Sequence, residues 1–273
     1  MTSGQTLSEP VADLSADDQR AAMTAAAERL IPAKRLLVLI GAGGSADAGV
    51  PTFRDVGGLW QTHRPEDLAH PTAFAAQPDV VWDWYRSRRT EILAAAPHAG
   101  QRALALLQRH FRAAQVLMAT TNEDDLLERA GVDDVRHLHG SIFTTACSAH
   151  CGWAVEDRES RRAGRTCPEC GALTRPGSVW FGEAVPPAPL EEIAALEPDG
   201  CLVIGSSCEV APVSQIPLEL ALAGVPVIEV NVHATPLSAH ALLLRGTARD
   251  ILPRLVDLLT SSTMRDQRHR TES

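Results

Sequence analysis

The chain predicts an α/β protein, a doubly wound, Rossmann-like parallel sheet with a smaller helical and zinc-knuckle domain inserted. Three observations carry that expectation. Short unbroken apolar runs such as Leu36-Leu37-Val38-Leu39-Ile40 end in small or polar residues, as strands buried on both faces do. Helical patterns separate the runs, giving crossovers and placing a ligand at the strands' carboxyl ends. Two tight pairs of cysteines interrupt the pattern between about residues 141 and 176.

The elements follow in order. Residues 1 to about 14 predict a disordered tail, and Ser15-Ala16-Asp17-Asp18 a helix start leading into an Ala-rich helix to about Leu30. The run at Leu36 to Ile40 enters Gly41-Ala42-Gly43-Gly44, a turn that lets backbone approach a pyrophosphate, with N–H groups of a following helix to favour its charge. Its bland alternative is an ordinary strand-to-helix turn. Gly49 comes too late for a GxGxxG fingerprint, and no acidic residue ends a second strand about twenty positions on, which disfavours a hydride-transfer enzyme. Further strands are expected at 115–119, 201–204 and 225–230, with a helix over 212–223. The stretch 51–114, helical over 80–95 and 101–111, is expected to pack with 141–176 as the small domain. A cleft should separate it from a sheet domain of residues 31–50, 115–140 and 177–260, and residues 261–273 read as a disordered tail.

Composition bounds the function. With 273 residues, 45% hydrophobic and 22% charged, the chain can bury a full core. Its net charge of −9 argues against free nucleic acid as a direct partner, which needs a basic surface. No eighteen-residue apolar run occurs, and the first eighteen residues carry acids, no arginine and no apolar segment, so neither a membrane span nor a secretory signal is expected. The expectation is a cytoplasmic monomer. Six cysteines in that compartment point to metal ligands or buried thiols.

Cys147-x3-Cys151 is followed, after fifteen residues, by Cys167-x2-Cys170, with Gly152 and Gly171 just after each pair. Two such knuckles set four sulfurs at tetrahedral corners, which suits Zn2+, and four thiolates leave no open position, so the zinc is expected to be structural. The competing reading is a set of unlinked core cysteines. His150 adjoins Cys151 as a rival ligand or a solvated side chain. Cys201 and Cys208 lack such spacing and read as buried or half-buried thiols.

Gly41-Ala42-Gly43-Gly44-Ser45 through Gly49-Val50-Pro51-Thr52-Phe53-Arg54 resembles the GAG-x-S-x-x-x-G-I-P-x-F-R segment of sirtuins, the NAD-dependent protein-lysine deacylases. Further segments resemble that family in order. Thr120-Thr121-Asn122-Glu123-Asp124 is similar to T-Q-N-I-D, Leu138-His139-Gly140 to the catalytic histidine turn, and the four cysteines to the zinc knuckle. Arg175-Pro176 with Val179-Trp180-Phe181-Gly182-Glu183 resembles the substrate-strand segment, Gly205-Ser206-Ser207 the G-T-S, and Glu229-Val230-Asn231 the adenosine-binding turn. Together they span roughly residues 36 to 255.

The resemblance implies a co-substrate, NAD, a structural Zn2+, and an acyl-lysine protein or peptide as partner. It also implies roles. His139 would be the base that draws a proton from a ribose hydroxyl, a task suited to an imidazole titrating near working pH. Asn122 and Asp124 would reach the nicotinamide ribose and carboxamide, with Thr121 and Glu123 beside them. Phe53, Arg54 and Trp60 would belong to a mobile cofactor loop, whose closure over the cofactor, allowed by glycine-rich Asp55 to Leu59, excludes water. Gly41, Ala42, Gly43, Ser45, Gly205, Ser206 and Ser207 would hold the phosphate and ribose side. Asn231, Val232, His233 and Ala248 would complete the cofactor site. A peptide would pair with the strand of Val179, Trp180, Phe181 and Gly182 through backbone hydrogen bonds. His137 is expected to be a hydrogen-bonded strand-end histidine.

Tyr85 and Arg88, three apart on a helix, share a face. Sirtuins that prefer succinyl, malonyl or glutaryl lysine carry such a Tyr-x-x-Arg, and a guanidinium fork matches a distal carboxylate. The alternative is a solvated face on which Arg86, Arg88 and Arg89 pair with Asp83 and Glu91. The chain departs from the family at Thr121 and Glu123, where glutamine and isoleucine are usual, at Gly44, a usual isoleucine, and at Gln101, a frequent histidine. Those departures keep two alternatives open: a mono-ADP-ribosyltransferase or NAD hydrolase on the same fold, and a non-catalytic NAD-binding scaffold.

Overall fold

The computed structural model describes residues 15–51, 64–110 and 115–271, with side chains at all of these except 65, 66 and those beyond 261. In order come α1 (Ala16–Leu30), β1 (Arg35–Ile40), α2 (Gly43–Ala46), α3 (Pro65–Leu68), α4 (Pro71–Ala76), α5 (Pro78–Ala94) and α6 (Ala99–His110). Next are β2 (Gln115–Thr120), α7 (Leu126–Arg129), β3 (Arg136–His137), β4 (Gly140–Cys147), β5 (Ala154–Glu156) and β6 (Thr174–Ser178). The chain closes with α8 (Pro187–Leu196), β7 (Gly200–Ile204), α9 (Gln215–Leu222), β8 (Val227–Asn231), β9 (Leu242–Arg245) and α10 (Ala248–Thr271).

Six parallel strands form one sheet in the order β3-β2-β1-β7-β8-β9. The order reverses between β1 and β7, and at such a switch point a crevice opens beyond the strands' carboxyl ends. Successive side chains of a strand point to opposite faces. Leu36, Val38 and Ile40 of β1 therefore join one core with Leu30 of α1, Leu104 and Leu107 of α6, and Leu252 and Leu255 of α10. Leu37 and Leu39 join another with Ile193 of α8, Val203 of β7 and Val213. Helices on both faces explain why the run is apolar throughout.

A second sheet, β5-β4-β6, is antiparallel. Its core combines Phe74 of α4, Val81, Trp82, Tyr85 and Ile92 of α5, Ile142 and Phe143 of β4, and Trp180. Arg89 stitches α5 to this module. It is 1% exposed and donates to the carbonyls of Ile142, Thr144 and Asp157 and to the hydroxyls of Ser160 and Thr145.

Three expectations need correction. The helix read within 51–114 as part of the small domain, α6, packs in the sheet core against α10, because Ala103, Leu104 and Leu107 form its apolar stripe. Residues 261–271, expected as a tail, continue α10. A helix nucleated by packed residues such as Leu255 and Leu259 propagates through weaker helix formers at little cost. Finally β6 ends at Ser178, so Val179 to Phe181 are not a ladder strand. Their N–H groups bond instead to the His139 carbonyl, the Glu183 carboxylate and the Ala69 carbonyl.

Candidate active site

The two glycine turns at the switch point lock into each other. A Cβ on Gly205, whose φ is +58°, would lie 2.5 Å from the Gly43 carbonyl carbon and the Gly44 nitrogen, so backbone packs on backbone. Gly43 donates to the Gly205 carbonyl at 2.9 Å and Gly41 to that of Ile204 at 2.8 Å. This refines the expected role of the first turn. The N–H groups of Gly41, Gly43, Gly44 and Ser45 are engaged inside the protein, so glycine is required here for turn-to-turn contact rather than for a row of N–H groups facing phosphate. Ser206 lies at the same junction and lines a small cavity with Ile40, Thr121 and Cys208. The Asn231 amide at the end of β8 donates to the Ser206 carbonyl at 2.7 Å.

On the other side of the first turn opens a cleft lined by Ala42, Ser45, Asn122, Glu123, Asp124 and Arg88, among others. Asn122 is fixed from three directions. Its side-chain amide donates to the Ser45 hydroxyl at 3.0 Å, its N–H to the Thr120 hydroxyl at 2.9 Å, and its carbonyl meets His137 Nδ1 at 2.9 Å. Gln101 reaches the same Ser45 hydroxyl from α6. Asp124 is buried, accepts from the Leu126 N–H at 3.1 Å, and burial holds its carboxyl above the usual range. His137 also meets Glu128 at 2.7 Å, so it serves, as expected, as a strand-end anchor, here for the Asn122 loop.

His139 follows β3 in the turn that enters β4. Gly140 has φ +74°, and a Cβ there would lie 2.1 Å from the Gly177 carbonyl oxygen, so only glycine lets this turn press against β6. The imidazole is half-buried against the Thr121 carbonyl, and burial holds its pKa below the ordinary value. A ring N–H donated to that carbonyl leaves the other nitrogen unprotonated, the form a general base needs. Thr121 thus acts through its backbone, which its side-chain identity leaves intact.

On α5, Tyr85 and Arg88 do share the buried face. Arg88 is 5% exposed, lines the cleft and reaches Glu91 at 2.6 Å, while Arg86 pairs with Asp83 on the outer side. Both pairs of the alternative reading thus form, but only Arg86 lies on a solvated face, Arg88 being buried and Arg89 turned inward. Tyr85 is 1% exposed, and its hydroxyl accepts from Trp180 Nε1 at 2.9 Å. Trp180 in turn carries the Arg175 guanidinium 3.5 Å above its ring, and Arg175 bonds both oxygens of Glu183. This chain of contacts clamps the segment from Val179 to Gly182, with Phe181 at its exposed end.

Cys147, Cys151, Cys167 and Cys170 converge, their sulfurs all within 4.8 Å of one another, with Cys147 to Cys170 at 3.3 Å and Cys151 to Cys167 at 3.6 Å. Tetrahedral Zn–S bonds of about 2.3 Å imply edges of about 3.8 Å, so the four thiols fit the ion. Zn2+ held there closes the loop between β4 and β6 and keeps no position for substrate. His150 is exposed and stands outside this set among the described residues.

The other expected site residues lie on the following elements. Ser207, Val232 and His233 lie exposed on loops after β7 and β8, and Ala248 is buried at the start of α10 against Gly100. Phe53, Arg54 and Trp60 lie outside the described residues. Glu229, placed by resemblance in the adenosine-binding turn but given no role of its own, is fully buried and accepts from the Thr235 and Ser238 hydroxyls at 2.6 Å, anchoring the loop after Asn231. A carboxylate inside an apolar strand was the sequence signal for that anchoring role.

The Sir2 family model matches residues 41–212. The chain is similar to NAD-dependent protein deacylase 1 of Pseudomonas aeruginosa, 44% identical over 249 residues that cover 86% of this chain and 98% of that protein. It is also similar to the crystal structure of a Sir2 homolog–NAD complex, with TM-score 0.80, 38% identity and coverage of 87% and 93%. A third likeness is to Sir2Af2 bound to a myristoylated histone peptide, with TM-score 0.70, 26% identity and coverage of 93% and 100%.

Proposed function

The chain belongs to the Sir2 family, and from that premise we propose that it is an NAD-dependent protein-lysine deacylase, yielding nicotinamide, the free lysine and O-acyl-ADP-ribose. What supports this reading is Asn122, fixed by Ser45 and His137 in the wall of the cleft, with the His139 imidazole against the carbonyl of the adjoining Thr121. Bound NAD would supply the electrophilic C1′ of its nicotinamide ribose, where the acyl oxygen of the modified lysine would take the place of departing nicotinamide, and one water would later release the free lysine. Asn122, fixed by Ser45, Thr120 and His137, orients the ribose and carboxamide, assisted by Asp124. His139, neutral at working pH, takes the proton of a ribose hydroxyl so that its oxygen can attack the imidate carbon.

The acyl-lysine lies along Val179 to Gly182, whose rigidity comes from the Arg175, Trp180 and Tyr85 contacts. Since the N–H groups of Val179, Trp180 and Phe181 serve the fold, a peptide would pair chiefly with carbonyls here. The finer reading is a preference for acyl groups ending in a carboxylate. Its support is Arg88, a buried guanidinium in the cleft, with the Tyr85 hydroxyl, which accepts from Trp180 Nε1 and so keeps its own O–H to donate. ADP-ribose transfer to protein or water, raised by Thr121 and Glu123, gains no support, since Thr121 keeps its backbone contact to His139. Nicotinamide release measured against acetyl, succinyl and longer acyl peptides tests the reading. Arg88→Met should lower succinyl kcat/KM about tenfold or more while sparing acetyl, as expected for loss of a charge-assisted contact. An unchanged succinyl rate would remove Arg88 from the acyl pocket.

A further inference from the structure

Glu123 brings a negative side chain into the cleft that holds Arg88. Both line it, together with Asn122 and Asp124. The groups that face the Glu123 carboxyl come from every wall. From α5 comes the Arg88 guanidinium, with the Tyr85 phenol near it. Asp124 is its chain neighbour, His137 approaches from β3, and the Ser178 hydroxyl from β6. Ser178 Oγ is buried without a partner in hydrogen-bond geometry, so it lies alongside rather than bonding tightly. Arg88 already carries Glu91 at 2.6 Å. One guanidinium thus holds the Glu91 carboxylate directly and shares its cleft with a second carboxyl, that of Glu123, beyond ion-pair distance, and burial pushes the Glu123 carboxyl up to about 7.

This arrangement bears on the acyl group. A chain ending in a carboxylate that reaches Arg88 enters as one more anion beside Glu91, Glu123 and Asp124. An acetyl group brings no charge there. We infer that Glu123 sets acyl choice at Arg88: as a carboxylate it opposes an acyl chain ending in a carboxylate, and as a neutral acid it admits one and can donate a hydrogen bond to it. Binding such a chain above neutral pH then takes one proton from solvent onto Glu123. The inference rests on the reading that the acyl chain reaches Arg88.

The test is the ratio of kcat/KM for a succinyl-lysine peptide to that for the matching acetyl-lysine peptide, followed from pH 6 to pH 8.5. The ratio cancels titrations common to both substrates, those of His139 and His137 included. If only the protonated form admits succinyl, the ratio in the wild type falls with rising pH by up to about 30-fold, the change in neutral fraction of an acid titrating near 7. Glu123→Gln, and Glu123→Ile as a second neutral variant, should flatten the profile and hold the ratio at or above its wild-type value at pH 6. A flat wild-type profile, or a neutral variant that keeps the wild-type slope, overturns the inference. Arg88→Met separates the two claims. If it leaves the succinyl rate untouched, the acyl reading itself fails; if it lowers that rate while the Glu123 variants keep the slope, only the role of Glu123 fails.

Discussion

Replacing Arg89 by methionine should destabilise the protein by about 3 kcal/mol while leaving the cleft residues in place. Methionine keeps most of the apolar stem and removes the guanidinium. The carbonyls of Ile142, Thr144 and Asp157, at 2.6, 2.9 and 2.8 Å, then lose a charge-assisted donor in a site 1% exposed. Loss of the donor at the Ile142 and Thr144 carbonyls costs about 1 kcal/mol each, and the Asp157 carbonyl, which keeps the Ser160 N–H, loses together with the Ser160 hydroxyl bonds worth about 1 kcal/mol more. The Asp157 carboxylate, 3.8 Å from Arg89, is not left a stranded charge, because it keeps the Arg161 and Arg162 N–H groups at 2.7 and 2.8 Å and the Thr145 hydroxyl at 3.0 Å. The loss therefore falls at the low end of the roughly 3–5 kcal/mol seen when a buried pair is broken. Urea denaturation at saturating zinc measures it, and the melting temperature should fall by about 6–12 °C. Arg86→Met, on the exposed side of the same helix, is the control and should cost under about 1 kcal/mol. An Arg89→Met protein within about 1 kcal/mol of wild type would refute the view that this side chain joins α5 to the knuckle module.

Two further outcomes follow from the same geometry. Cys167→Ser should abolish stoichiometric zinc content, measured by metal analysis, and lower stability by several kcal/mol, because the ion closes the β4 to β6 loop; full zinc retention would contradict the four-thiolate site. Burial lowers the His139 pKa, so the base form is already complete near neutrality and kcat/KM for acetyl-peptide should fall only as pH drops through a midpoint below 6.5. An acid limb with its midpoint above 7 would contradict that assignment.

The sheet was legible where physics leaves a plain signature. Runs buried on both faces, such as Leu36 to Ile40, must be apolar throughout, and they marked β1, β2, β7 and β8 closely. Edge and irregular strands carry no such mark: β3 is two residues long, and β6, Thr-Arg-Pro-Gly-Ser, is held by its neighbours rather than by propensity. Helix α6 was read in sequence as part of the long insertion, but its domain is decided by which core its stripe meets, and the apolar pattern alone is silent on that. The four cysteines were legible because a tetrahedral thiolate site needs those residues at that spacing, whereas His139 and Asn122 were marked by the resemblance to sirtuin segments rather than by spacing. The inward turn of Arg89, the Tyr85 to Trp180 bond and the shared cleft of Glu123 and Arg88 depend on side-chain directions between distant segments, which sequence spacing does not encode.

The central claim is that His139, set against the Thr121 carbonyl beside Asn122, completes acyl transfer from lysine to ADP-ribose. Mass spectrometry of the products from NAD and an acetyl-lysine peptide, with wild type and His139→Ala side by side, tests it most directly. Wild type should yield nicotinamide, deacetylated peptide and O-acetyl-ADP-ribose in equal amounts, and His139→Ala should lose peptide deacetylation by about a hundredfold or more. Deacetylation at the wild-type rate without the imidazole, or free ADP-ribose with the peptide still acetylated, would contradict it.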